Sequence, residues 1–179
     1  GIHKKNPIFD LKKKKVDILV NLSASPYTFK KLELRSKVSS FAAQYLQVPL
    51  IYVNQIGAND NLIFDGNSFI LDKNGSKIKQ LKSFAEDLSS WDIEQTKPQK
   101  NKFKNSEMSS IFDALVLGVR DYAQKCGFKT ALIGLSGGID SALVSAIATA
   151  ALGSNNIYCV SMPSKWSSSH SKSDAKDLA

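Results

Sequence analysis

Thr130-Ala131-Leu132-Ile133-Gly134-Leu135-Ser136-Gly137-Gly138-Ile139-Asp140-Ser141 is the stretch on which the fold turns. An apolar run from Lys129 to Leu135 has the composition of a buried strand. It feeds without a break into two glycines, and an alanine-rich helical segment runs from Asp140 to about Leu152, ended by Gly153. Gly137 and Gly138 let the backbone turn tightly and present bare N–H groups. The helix beginning near Asp140 aims its N-terminus at the same spot, and Ser136 and Ser141 add hydroxyl donors. Together these groups form an oxyanion cradle sized for pyrophosphate. Asp140 is acidic where anions are wanted, so the sequence predicts that it holds a Mg²⁺ bridging phosphates. A Gly-Gly turn after a strand is common, and Asp and Ser are ordinary helix starters, but a plain turn does not require all six residues from Ser136 to Ser141 at once. No Gly-Lys-Ser/Thr follows, so the loop is not a Walker A motif, and it is not the dinucleotide GxGxxG.

Working outward, Asn156–Met162 reads as a second strand, which completes a βαβ unit of the doubly wound type with the loop at the carboxyl end of its first strand. Upstream, a helix starts with Ser106 as a possible cap and Glu107 in its first turn. Ile111, Phe112, Leu115, Val119 and Tyr122 form its apolar stripe, and Gly127 is its C′ residue. Lys172–Ala179 reads as a helix opening without a C-cap signal, which suggests part of a longer protein.

The first half of the chain mixes strand and helix signals. Val16-Asp17-Ile18-Leu19-Val20-Asn21-Leu22 and Pro49-Leu50-Ile51-Tyr52-Val53-Asn54 read as buried strands. Between them, Lys31 to Gln47 has helical spacing, with Leu34, Val38, Phe41, Ala42 and Tyr45 on one face. Two hairpin-like units follow. In the first, Leu62-Ile63-Phe64 and Ser68-Phe69-Ile70-Leu71 flank the turn Asp65-Gly66-Asn67; the second turns at Asp72-Lys73-Asn74-Gly75, ahead of a strand near Lys77–Leu81. From about Trp91 to Asn105 the apolar pattern stops, and Gln95, Thr96, Pro98, Gln99, Lys97, Lys100, Lys102 and Lys104 make a linker. The sequence thus divides into residues 1–91, a linker 92–105 and residues 106–179.

Composition narrows the function classes. Of 179 residues 42% are hydrophobic, enough for a packed core. The net charge of +8 comes from 24 Lys and Arg against 16 Asp and Glu. The lysines are spread out, with short runs at 12–15 and 97–104 and no interleaved aromatics, so solvated lysines rather than a nucleic-acid face are expected. Cys126 and Cys159 form no metal-ligand pair and read as two buried free thiols in a reducing cytoplasm. Gly1 to Asn6 contains no apolar signal-peptide region, and no apolar run approaches the ~18 residues of a membrane span.

Gly134 to Ser141, GLSGGIDS, resembles the PP-loop of the N-type ATP pyrophosphatases, which form adenylates and release pyrophosphate. Ala114–Tyr122 resembles the helix before that loop in NAD synthetases, and Met162-Pro163-Ser164-Lys165-Trp166-Ser167-Ser168 resembles their segment after the second strand, with Trp166 where the family usually has Tyr. Asn21–Tyr27, Tyr52–Gly57 and Phe64–Phe69 resemble the nitrilase-type glutaminase domain fused ahead of the synthetase in the glutamine-dependent NAD synthetase family. The resemblance covers most of the chain except the linker. It implies an α/β fold: part of a nitrilase-type αββα sandwich, then the start of a doubly wound parallel-sheet PP-loop domain.

It also implies a function. ATP would adenylate deamido-NAD, and ammonia from glutamine would form the amide, with ATP, Mg²⁺, deamido-NAD and glutamine as cofactors and partners. A cytoplasmic homo-oligomer with no nucleic acid and no membrane is expected. The family's glutaminase Glu, Lys and Cys would lie upstream of Gly1, and neither Cys126 nor Cys159 matches the nucleophile. Two glutamine-binding positions carry over, Ser25 and Lys31. Nucleotide binding would fall to Gly134, Leu135, Ser136, Gly137, Gly138, Ile139, Asp140 and Ser141, with Met162 lending backbone groups to adenine. His170 and Asp174, near the second strand's following loop, are expected to be solvent-exposed. The rival readings are another PP-loop amidotransferase, such as GMP synthetase, or a nucleotide-binding module without catalysis.

Overall fold

The computed structural model describes residues 6–94, 97, 106–166 and 168–179. Most of the expected linker, including Lys100, Lys102 and Lys104, lies outside the described residues, as does Ser167. The chain forms two units, one of residues 1–57 and 62–107 and the other of residues 58–61 and 108–179.

The first unit is built on a four-stranded mixed sheet. Its elements are α1 (Pro7–Lys13), β1 (Leu19–Ser23), α2 (Lys31–Leu46), β2 (Leu50–Asn54), β5 (Phe69–Leu71) and β6 (Lys77–Gln80), with β3 (Ile56–Asn59) and β4 (Leu62–Asp65) between β2 and β5. The strand order is β1-β2-β5-β6. β1 and β2 are parallel, Leu19 opposite Leu50, and α2 makes the crossover that parallel strands require. β5 runs antiparallel to both its neighbours, with Leu71 opposite Leu50 and Phe69 opposite Gln80. The core under α2 joins Ala42, Ala43, Leu50, Tyr52, Phe69 and Leu71, with Ile8, Leu19 and Leu32 against it. The Tyr52 and Phe69 rings stack at 4.9 Å between centroids.

Three expectations change here. The first strand begins at Leu19 rather than Val16. Leu34, Val38 and Phe41 do not face the sheet; they are 59%, 56% and 53% exposed. Of the predicted stripe Ala42 is buried, and Arg35, Ser39 and Ala43 are buried in place of the larger residues. Arg35, Ser39 and Ala43 also fall at helical spacing, one residue (about 100°) round the helix from Leu34, Val38 and Ala42. Small side chains let the helix backbone come close to the sheet. The third change is a pairing. β4 forms a two-stranded sheet with β3 and does not pair with β5. Gly66 (φ 62°) and Asn67 (φ 55°) are both left-handed, and this double turn carries the chain out of one sheet and into the other.

In the second unit, α3 (Glu107–Cys126) is followed by β7 (Ala131–Gly134), α4 (Ile139–Leu152), one 3₁₀ turn (Ser154–Asn156), β8 (Ile157–Val160) and α5 (Ser169–Leu178). β7 and β8 are parallel, Ala131 opposite Ile157 and Gly134 opposite Val160, so the predicted βαβ unit forms. Gly127 closes α3 in a left-handed conformation (φ 74°), and the Phe128 N–H donates to the Ala123 carbonyl at 2.8 Å, as the C′ assignment predicts. The stripe predicted for α3 is again not the buried one. Ala114, Leu117 and Ala123 are buried, while Phe112, Leu115, Val119 and Tyr122 are 37% to 63% exposed. Both cysteines are free thiols and exposed, contrary to the expectation of burial. Cys126 ends a helix, and Cys159 sits on a strand whose burial pattern leaves its two middle residues open. Among the described residues no helix is long and apolar enough to cross a membrane.

Candidate functional site

The loop from Ser136 to Ser141 starts where the parallel ladder ends. The Leu135 N–H still donates to the Val160 carbonyl at 2.8 Å, and the chain then turns into α4. Gly137 is left-handed (φ 82°), and Gly138 caps the helix in extended geometry (φ −90°, ψ 158°). A Cβ placed on Gly137 would lie 2.1 Å from the carbonyl oxygen of Ser171, in the first turn of α5. The loop is therefore seated directly under a second helix N-terminus, which Ser168 caps by accepting the Ser171 N–H at 3.1 Å.

The two serines close the loop on itself. Ser141 Oγ donates to the Gly138 carbonyl at 2.9 Å and accepts the Ser136 N–H at 3.3 Å. With the Ser141 proton so used, Ser136 Oγ is the donor across the 3.1 Å between the two hydroxyls. Ser136 Oγ in turn accepts the Gly138 N–H at 3.2 Å. Of the two glycine amides expected to be bare, that of Gly138 is thus engaged by a hydroxyl. The amides in the first turn of α4, at Ile139, Asp140 and Ser141, have no acceptors within the helix and remain for an anion.

A cavity of about 210 Å³ adjoins the loop, lined by Gly134, Leu135, Ser136, Ser161, Met162, Pro163, Ser171 and Lys172. The nucleotide residues predicted from the sequence therefore split. Gly134, Leu135, Ser136 and Met162 line the cavity, whereas Gly137, Gly138, Ile139, Asp140 and Ser141 form the turn and helix start beside it. Ser161 and Pro163 flank Met162 and were within reach of sequence reasoning, because the loop after the second parallel strand must lie beside the first. Ser171 and Lys172 carry no such signal, since only the docking of α5 brings them there. His170 and Asp174 are exposed, as expected.

Asp140 is exposed, and among the described residues no group of three His, Cys, Asp or Glu could hold a metal ion. One carboxylate beside the first-turn amides of α4 fits Mg²⁺, which keeps several waters and leans on one or two carboxylates plus phosphate oxygens.

In the first unit, Ser25 and Lys31 sit at the junction of β1 and α2. Ser25 lies two residues beyond the end of β1, and Lys31 is the first residue of α2. The structure joins Ser25 to a buried polar chain. Lys77 Nζ donates to Gln80 Oε1 (2.8 Å), Gln80 Nε2 to Asn67 Oδ1 (3.0 Å), and Asn67 Nδ2 to Asp65 Oδ2 (2.8 Å). Arg35 Nη1 donates to Asp65 Oδ1 at 2.8 Å, and Arg35 Nε donates to Ser25 Oγ at 3.1 Å. Asp65 is 1% exposed and Arg35 7%. Among the described residues no buried side-chain nitrogen or oxygen lacks a partner, so the burial is compensated.

At the far end of this chain, burial holds the Lys77 ammonium below its usual pKa of 10.5, with its Nζ 5.5 Å from the centroid of the Phe69 ring. The unfolded chain therefore keeps this proton to higher pH than the folded one. Stability should rise with pH from the lowered folded value up to about 10.5. Urea unfolding across the alkaline range should show that rise in the parent chain and lose it in Lys77→Met; identical pH profiles would refute the burial effect.

The comparisons with known proteins match this arrangement. The carbon-nitrogen hydrolase family matches residues 2–100, and the NAD synthase family matches residues 111–179. The glutamine-dependent NAD(+) synthetase of Synechocystis sp. is 49% identical over 97% of this chain, and that of Acinetobacter baylyi 40% identical over 97%. The chain spans about a third of the length of these relatives, 32% and 33%. A structure of glutamine-dependent NAD+ synthetase from Acinetobacter baumannii in complex with ADP superposes on 94% of this chain and 33% of its own, with a TM-score of 0.88 and 38% identity. The synthetase from Cytophaga hutchinsonii, 19% identical with a TM-score of 0.79, supports the fold alone.

Sheet and loop together define a two-part α/β protein, with a nitrilase-like part followed by the start of a PP-loop domain of the NAD synthase type. The chain belongs to the carbon-nitrogen hydrolase family, and over most of its length it is homologous to the glutamine-dependent NAD(+) synthetases.

Proposed function

We propose that the chain is part of a cytoplasmic, homo-oligomeric ligase that makes NAD from deamido-NAD, ATP and ammonia released from glutamine. The observation that carries this reading is the Ser136–Ser141 loop at the carboxyl end of β7, with the cavity of about 210 Å³ beside it. The relative from A. baumannii, whose structure holds ADP, supports the nucleotide assignment. In this reading residues 1–91 belong to the glutaminase part, 92–105 link the two, and 106–179 begin the synthetase part. The glutaminase Glu, Lys and Cys would come from regions of the longer protein outside this chain.

The loop's work is electrostatic. Attack of the nicotinate carboxylate on the α-phosphorus of ATP builds negative charge on the departing pyrophosphate. The first-turn amides of α4 face that charge and are fixed before it forms, so they need no reorganisation during the step. Ser136 and Ser141 can exchange their mutual hydrogen bond for contacts to phosphate oxygens. Gly134 and Met162 border the cavity where the adenine would lie. Asp140 would hold Mg²⁺, which neutralises phosphate charge when bound.

The test uses the full-length protein with deamido-NAD, ATP, Mg²⁺ and either glutamine or ammonium, following pyrophosphate release. Release that does not depend on deamido-NAD would reject the substrate and favour another PP-loop amidotransferase. No release at all would favour a nucleotide-binding module. Asp140→Ala should lower ammonia-driven synthesis by about 10²- to 10³-fold while glutaminase activity stays measurable. Synthesis at the parent rate would remove Asp140 from the metal.

A further inference from the structure

We infer that Arg35 is a positioning residue for amino-acid binding, fixing the Ser25 hydroxyl as a donor to a substrate carboxylate. The inference rests on the proposed glutamine site at Ser25 and adds how that site is held.

Nearly every polar atom of Ser25 is already engaged. Its N–H donates to Asn54 Oδ1 at 2.9 Å. Its carbonyl accepts from Arg35 Nη2 at 2.7 Å and from Asn54 Nδ2 at 3.3 Å. Its Oγ accepts from Arg35 Nε at 3.1 Å. Arg35 Nη2 also reaches the Pro26 carbonyl at 3.0 Å. One guanidinium thus grips two successive carbonyls and the hydroxyl oxygen, using the planar fork that distinguishes Arg from Lys. What remains on Ser25 is the hydroxyl proton, a donor that seeks an acceptor.

The polarity of the surroundings agrees. Asp65 takes Arg35 Nη1 and Asn67 Nδ2 on its two oxygens, so its charge is spent inside the network. Asn67 is held in turn by Gln80. Lys31 lies one helical turn before Arg35 and therefore on the same side of α2. A hydroxyl whose oxygen already accepts from a guanidinium offers its proton, which suits a carboxylate and disfavours an ammonium group. The double left-handed turn at Gly66 and Asn67, the burial of Arg35 and the loop after β1 then serve one geometry. They aim Ser25 and leave it no freedom to rotate its Oγ away from Arg35 without losing a bond.

The experiment measures glutamine hydrolysis by the full-length protein. Ser25→Ala tests the site itself and should raise KM for glutamine about tenfold or more, the worth of a hydrogen bond to a charged group. Arg35→Lys keeps the charge on Asp65 but loses the fork, so KM should again rise about tenfold while kcat falls far less. A purely structural defect would lower kcat through loss of active protein and leave KM in place. In the Ser25→Ala background, Arg35→Lys should add less than about twofold to KM, because it acts through that hydroxyl. Asn67→Gly, which keeps the positive φ and only loosens Asp65, should raise KM about threefold and covers the case where Arg35→Lys fails to fold. A parent-like KM in Ser25→Ala overturns the glutamine reading of Ser25. A raised KM there, with parent-like KM in Asn67→Gly and in folded Arg35→Lys, overturns the positioning role alone.

Discussion

Gly137→Ala should abolish ATP binding, with an affinity loss of at least about 100-fold by calorimetry on the full-length protein. Two effects add. An alanine at φ 82° costs about 1–2 kcal/mol of backbone strain. The larger effect is steric, because the new Cβ would sit 2.1 Å from the Ser171 carbonyl oxygen and 2.7 Å from its carbonyl carbon and Cα. These are backbone atoms and cannot rotate aside, so either the loop or α5 must move. Movement of α5 takes Ser171 and Lys172 off the cavity wall, and movement of the loop turns the first amides of α4 away from the phosphates. Gly127→Ala separates the two effects. Gly127 is equally left-handed, at φ 74°, but its Cβ would meet nothing within 4 Å. That variant should lose about 1 kcal/mol of stability and bind ATP like the parent. Parent-like ATP binding by Gly137→Ala would mean that α5 does not rest on the loop in solution.

Asp65→Ala should destabilise the first unit by about 3–5 kcal/mol, since it strands a buried guanidinium. The Arg35–Asp65 pair spans 2.8 Å, with side chains only 5% and 2% exposed. Arg35 would keep its bonds to Ser25 and Pro26, but its charge would have no counterion in a site closed to water. Replacing both members, Arg35→Met with Asp65→Leu, should recover much of the loss, because an uncharged pair carries no desolvation cost. Urea midpoints of the chain and its variants measure this. A single-variant loss below about 1 kcal/mol would show that water reaches the pair. The double variant should stay folded yet bind glutamine poorly, which separates the stability of this network from its use.

Much of the candidate site is legible in the sequence. The strand–loop–helix order, the positive φ at Gly137, the stop at Gly153 and the C′ role of Gly127 all follow from residues next to one another in the chain. So does the hairpin turn at Asp72–Gly75, where Asp72 Oδ1 accepts the N–H groups of Asn74 and Ser76. The β3–β4 pairing is not legible in the same way. Asn59-Asp60-Asn61 is a turn signal, but Asp65-Gly66-Asn67 competes with it as a hairpin turn. Choosing between two turns depends on which strands meet, and that is not a local property.

Residues close together in the chain settle where it turns, which loop could cradle an anion and, through the motifs, which family the chain resembles. Each of these rests on backbone freedom, amide direction and side-chain chemistry within a few positions. Packing selects which face of α2 and α3 is buried, since two helical faces one residue apart satisfy the same periodicity. It also places Arg35 on Asp65, 30 residues away, and sets the first turn of α5 against Gly137. Burial is a property of the partner surface as much as of the residue, and a hydrogen bond across the fold forms only once packing has fixed both ends. The loop at Ser136–Ser141 therefore carries its chemistry in its own residues, while the helix that closes over it is set by contact.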